Sequence, residues 1–197
     1  MPGVLIAFEG LDQSGKETQA RLLAGRFEAG GSEVRIFPFP DYETAIGAEI
    51  GRALRGERDY GPDVMQLLYV ANRYEWKPAI ERALADGRIV ICDRYQASSV
   101  AYGEAQGLDP GWLVDIQRHL PQPDVTVVLD IAPETAVARK AAGRDKFERD
   151  LALLGRVRAS YRRQAGQPGW VIIDGERQKP EVAEAVRSAV WPRLARR

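Results

Sequence analysis

Cysteine and histidine are nearly absent from this 197-residue sequence, which has Cys92 and His119 and no others. A lone cysteine excludes an intramolecular disulfide framework and a cysteine-rich zinc site. A lone histidine leaves little from which to build a histidine metal cluster or a histidine acid–base scheme. An excess of either charge is also lacking, since 28 Lys and Arg are balanced by 28 Asp and Glu. Coating nucleic acid or an anionic membrane needs a basic excess, so neither partner is expected, while a local basic site stays open. No apolar run approaches the roughly 18 residues of a membrane span. The segment Met1–Phe8 lacks the charged n-region of a signal peptide. The expectation is a cytoplasmic chain forming one domain over 1–197, and its 45% apolar content suffices for a core.

Short apolar runs alternating with helical patterns make up the chain. Val4–Phe8, Val34–Phe37, Arg88–Cys92, Val125–Leu129 and Trp170–Ile173 are too short for helices and read as strands. Between them, helical spacing is carried by Ala20–Phe27, which stops at Gly30-Gly31, and by Ile46, Ile50 and Leu54. It continues over Pro62–Leu84, where Pro78 predicts a kink or break, and in Ala97–Tyr102 and Leu113–Ile116. Thr135–Arg158 reads as helical with a break near Gly143, and Pro180 opens a last helix through Val182, Val186 and Val190. Continuous apolar strands alternating with helices imply an α/β fold, a five-stranded parallel sheet flanked by helices on both faces. In such sheets ligands sit beyond the carboxyl ends of the strands. The loop at Gly10 and the residue Asp93 both fall at that end.

The segment Gly10–Thr18 (GLDQSGKET) follows a strand, opens a helix and fits G-x-x-x-x-G-K through Gly10, Gly15 and Lys16. Glycines let the backbone curl so that the amides of Leu11, Asp12, Gln13, Ser14 and their neighbours converge on a polyphosphate at a helix N-terminus. Lys16 adds a point charge for the outer phosphates. A Ser or Thr hydroxyl for Mg²⁺ is expected after the lysine, but the residue is Glu17, with Thr18 one place later. One helical step rotates a side chain by about 100°, so Thr18 does not simply substitute. Glu17 either holds Mg²⁺ through a water or points to solvent and leaves the metal to phosphates and waters. The second is favoured because Mg²⁺ commonly keeps several waters.

FEGLDQSGKETQ (8–19), FPFPDYETAIG (37–47), LLYVANRYE (67–75), DRYQASSVAYG (93–103), LPQPDVTVVLDI (120–131) and GRDKFERD (143–150) together resemble the thymidylate kinases, P-loop enzymes that phosphorylate dTMP with ATP. The resemblance runs from Leu5 to about Tyr161. It implies a homodimer using ATP and Mg²⁺ to make dTDP in dTTP biosynthesis. It also implies that Asp12 holds the deoxyribose 3′-OH near Mg²⁺, with Asp93 beside the metal. Tyr69 matches the aromatic that stacks on thymine, and Arg73 the arginine that reads the base edge. Arg94 matches the arginine that clamps phosphate between donor and acceptor. Ser98, Ser99 and Tyr102 match the wall near base and sugar, with Tyr102 crowding the 2′ position, and Phe39 and Tyr42 fall to the dTMP side. Residues 139–149 match the lid over ATP.

This sequence departs from the family pattern in places. The segment at Asp41-Tyr42 lacks the arginine that often touches the acceptor phosphate. Gln13 stands where some members carry a catalytic arginine, which shifts that role to the lid, with Arg144 first and Arg139 and Arg149 beside it. Ser99 is shorter than the asparagine or threonine some members use. The residues themselves support part of this, since Tyr69 and Arg73 are four apart and share a helix face. A nucleoside monophosphate is already largely a dianion at pH 7, so the transfer needs no general base. The rival readings are another nucleoside monophosphate kinase, with dUMP or dGMP as acceptor, and a nucleotide-binding regulatory protein without transfer.

Overall fold

The computed structural model describes residues 3–139 and 150–194. Five strands, β1 (Val4–Gly10), β2 (Val34–Pro38), β3 (Ile89–Asp93), β4 (Val125–Asp130) and β5 (Trp170–Asp174), form one parallel sheet in the order β2-β3-β1-β4-β5. The helices are α1 (Lys16–Ala29), α2 (Ala45–Leu54), α3 (Pro62–Ala85), α4 (Gln96–Ala105), α5 (Pro110–Asp115), α6 (Pro133–Arg139), α7 (Leu151–Gln164) and α8 (Lys179–Leu194). Among the described residues, no helix is long and apolar enough to cross a membrane.

Alternate residues of β1 explain why its run is apolar throughout. Ile6 and Phe8 face α1 and α8, where Leu23, Phe27, Val182 and Val186 close one core. Leu5 and Ala7 face the other side, with Val90, Cys92 and Ile80 of α3. Burying a large apolar side chain contributes about 1.5–3 kcal/mol, so both faces hold the central strand. The expectation that every strand is buried fails at the edges: Ile36 of β2 and Ile172 of β5 are 37% and 44% exposed. Sheet order decides this, and local patterning does not encode sheet order.

One further element differs from the sequence reading. α3 runs without a break through Pro78. Packing on both sides of the proline, by Val70 before it and Ile80 and Ala83 after it, outweighs the lost backbone bond. The pattern over Thr135–Arg158 divides into α6 and α7, because the Asp150 carboxylate accepts a hydrogen bond from the Leu153 N–H and so caps a new helix. Residue 143, the expected break, lies outside the described residues.

β1 lies between β3 and β4, and the chain leaves it toward β2 and β3 and returns later through β4. The carboxyl end of β1 is therefore the switch point, where a crevice opens.

Candidate active site

The loop after β1 is shaped by its glycines. Gly10 sits at φ 134°, and a Cβ there would meet the Leu129 carbonyl oxygen at 2.4 Å. Gly15 caps α1 at φ 94°. Leu11 turns into the core beside Val128, while the Ser14 N–H donates to the Leu11 carbonyl at 3.2 Å. Lys16 Nζ donates to that same carbonyl at 2.7 Å. Burial, with Arg94 next, lowers Lys16 to about 8, against Asp12, Asp93 and Glu9. Gln13 is exposed at φ 62°, and its carbonyl accepts from Arg139 at 3.2 Å. Arg139 also donates to the Gly175 carbonyl, so the end of α6 is tied across the loop. Glu17 is exposed and paired with Arg21 one turn on, and Thr18 is half-buried in the same turn.

Arg94 follows β3 in a left-handed conformation, φ 62°, which a non-glycine residue seldom adopts. Its N–H donates to the Phe8 carbonyl. One terminal nitrogen donates to Asp12 Oδ1 at 2.5 Å, the other to the Gly10 carbonyl at 3.1 Å and Ser98 Oγ at 3.2 Å. Tyr102 donates to the second Asp12 oxygen at 2.9 Å. Burial alone would raise the Asp12 carboxyl. The charges of Arg94 and Lys16, with hydrogen bonds from Arg94 and Tyr102, hold it well below the usual carboxylate range. Asp93 differs, since burial raises its carboxyl despite Lys16 and Arg94, and its Oδ1 is buried without a hydrogen-bond partner.

Beyond Arg94 a cavity of about 650 Å³, including its open mouth, runs between α2, α3 and α4. Phe39, Tyr42, Tyr69, Arg73, Ser98, Ser99 and Tyr102 all line it, together with Asp12 and Arg94. Phe39 is buried and held by its N–H to the Asp93 carbonyl. Tyr42 is half exposed. Arg73 is buried, donating to Ser99 Oγ at 2.7 Å and Gln117 Oε1 at 3.2 Å. The structure thus brings the expected dTMP-side residues together with Asp12 and Arg94 around one cavity, while Leu11 packs into the core and Glu17 faces solvent. Arg144 and Arg149 lie outside the described residues.

Sequence reasoning missed Glu9. It is fully buried on β1, and its carboxylate accepts from the backbone N–H groups of Tyr95 and Ser98, from Ser98 Oγ at 2.6 Å and from Tyr161 Oη at 3.2 Å. It caps α4 from another element and braces the turn that carries Arg94. The available signal was a single charge inside an apolar run, VLIAFEG. Tyr161 and Gln117, which steady Arg94 and Arg73, had no such signal.

The sequence matches the family model for thymidylate kinase over residues 8–186. The chain belongs to the thymidylate kinase family. It is 35% identical to the thymidylate kinase of Arabidopsis thaliana over 188 residues, covering 95% of this chain and 71% of the relative. It is 34% identical to that of Plasmodium falciparum over 181 residues, covering 91% and 86%. The fold superposes on the solved thymidylate kinase of Candida albicans with a TM-score of 0.86 at 28% identity, covering 97% of this chain and 92% of the other. The reaction that follows from membership is transfer of the γ-phosphoryl group of ATP to dTMP.

Proposed function

We propose that this reaction runs at the Asp12–Arg94 junction, with ATP phosphates in the loop 10–18 and dTMP in the cavity beyond. The observation that carries the assignment is the Arg94–Asp12 pair, which joins the phosphate loop to the end of β3 at the cavity mouth. Lys16 and the loop amides draw the donor phosphates. Arg94 faces both phosphates, neutralises charge on the moving group and shares it with Asp12. Tyr69 stacks on the base, Arg73 meets its edge, and Asp12 and Tyr102 frame the sugar. No group need remove a proton, so the work is alignment and charge stabilisation.

Mg²⁺ fits this chemistry. The partnerless, buried Asp93 Oδ1 next to Lys16 is a carboxylate oxygen available to a metal-bound water, and Asp12 lies beside it. Bound Mg²⁺ neutralises phosphate charge and orients the donor. Glu17, turned to solvent with Arg21, is left out of that set. Arg139 steadies the ATP side at Gln13, and Arg144 is assigned the lid role. We further read residues 1–197 as one domain of a cytoplasmic homodimer. The exposed apolar Val64 and Leu67 on α3 support a self-contact.

The test is ADP formation from ATP and Mg²⁺ with dTMP, dUMP, dGMP, dCMP, dAMP and UMP offered separately. Turnover with dTMP far above the rest is expected, and Arg94→Ala should lower kcat by about 10³. A flat response to all acceptors, or wild-type turnover in Arg94→Ala, overturns the assignment.

A further inference from the structure

Gln66 lies on the same stripe of α3 as Tyr69 and Arg73, at positions i, i+3 and i+7. It lines the substrate cavity and is 1% exposed, yet its side-chain Oε1 has no hydrogen-bond partner. Its stem is wedged against α4. A Cβ on Gly103 would come within 3.3 Å of Gln66 Cγ and 2.6 Å of Leu113, so the glycine is what lets the helices approach and fix the amide. A second buried polar atom in the same cavity wall is also unpartnered, the Nε of Arg73. One terminal nitrogen of Arg73 is already shared between Ser99 and Gln117.

A buried acceptor and a buried donor without protein partners are costly. They are matched by a ligand edge that presents one N–H and one carbonyl. A 2,4-dioxopyrimidine has that edge, with N3–H flanked by carbonyl oxygens, whereas cytosine presents an acceptor at N3 and a donor at C4. We propose that Gln66 is a specificity-determining residue that accepts from the N3–H of the acceptor base while Arg73 donates to a neighbouring carbonyl. This rests on the reading of the cavity as the dTMP site. Tyr69, between the two on the stripe, holds the ring from its face. Arg73 has donors only, so its partner on the ligand must be an acceptor.

Gln66→Met keeps the volume and removes both hydrogen-bonding ends. The expected result is a KM for dTMP raised roughly tenfold, the size of one buried hydrogen bond, with kcat and the KM for ATP within about twofold. The unliganded variant should melt no lower than wild type, because an unsatisfied buried group has been removed. The preference for dTMP over N3-methyl-dTMP should shrink by the same factor as KM rises. Gln66→Asn, which withdraws the amide but keeps its polarity, should also lose affinity for dTMP. An unchanged KM in Gln66→Met, in an enzyme whose wild type turns over dTMP, overturns the inference alone. A raised KM accompanied by a lower melting temperature and an unaltered N3-methyl preference reassigns Gln66 to packing and overturns it equally. Wild-type protein that ignores dTMP overturns the reading of the cavity itself.

Discussion

Replacing Glu9 with alanine should damage both stability and turnover, by different routes. The carboxylate receives two buried backbone donors, Tyr95 N–H at 2.9 Å and Ser98 N–H at 3.3 Å, which would be left unpaired. Each such donor costs about 1–3 kcal/mol. The Ser98 and Tyr161 hydroxyls, 2.9 Å apart, can still pair with each other and add little. With about 1 kcal/mol for the void, the loss comes to about 4 kcal/mol, or about 10 °C in melting temperature for a domain of this size. The kinetic effect follows from the turn at Arg94, which sits at φ 62° between the Phe8 carbonyl and the Glu9-capped helix. Without the cap that turn has less to hold it, and a misplaced phosphate clamp of this kind costs about a hundredfold in kcat. Glu9→Gln keeps one oxygen for the two N–H groups and turns its amide to hydroxyls that can accept, so it should recover more than half of each loss. Denaturant titration and steady-state rates, taken well below the melting temperature, read the two effects separately. A loss under about 1 kcal/mol would refute the stability argument. Full destabilisation with wild-type kcat would refute the positioning of Arg94 through Glu9.

The remaining predictions concern the phosphate loop. Lys16, lowered to about 8 in the free protein, should be raised again by bound phosphates. ATP binding should therefore take up protons above pH 8, and affinity should fall by up to tenfold per unit as pH rises through that value. Calorimetry from pH 6.5 to 9.5 checks this, and a flat affinity above pH 8 would refute it. Glu17→Ser should leave turnover and its Mg²⁺ dependence within about twofold of wild type, since Glu17 faces solvent and pairs with Arg21. A shifted Mg²⁺ requirement would make Glu17 part of the metal site.

What could be seen in the sequence was local. The glycine spacing, the lysine that follows and the five apolar runs report backbone geometry over a few residues, and the structure has all of them. What could not be seen depends on neighbours distant in the chain. Glu9 is a liability in a strand until α4 and α7 bring Tyr95, Ser98 and Tyr161 to it. Pro78 breaks a helix in isolation and not in one gripped by Val70 and Ile80. The edge positions of β2 and β5 follow from sheet order, for which the pattern along one strand carries no information. The pairing of Tyr69 with Arg73 was legible as helical spacing, and the same spacing carried one turn back would have reached Gln66.

The chain's zero net charge conceals a strongly structured local field. Buried Lys16 and largely buried Arg94 are two cations that repel each other, and the carboxylates Glu9, Asp12 and Asp93 around them offset that repulsion. Those carboxylates do not act alike. Glu9 is saturated by backbone and hydroxyl donors. Asp12 is bonded directly to Arg94 and Tyr102. Asp93 keeps one buried oxygen unpaired. Arg94 already spends both terminal nitrogens on Asp12, Gly10 and Ser98, so its position is fixed before substrate arrives. Fixed donors need little reorganisation as charge spreads in the transition state, which is where such an arrangement favours rate over simple binding. A lysine at position 94 has no planar fork to satisfy Asp12, Gly10 and Ser98 together. The guanidinium is therefore required by its own protein partners as much as by the phosphate.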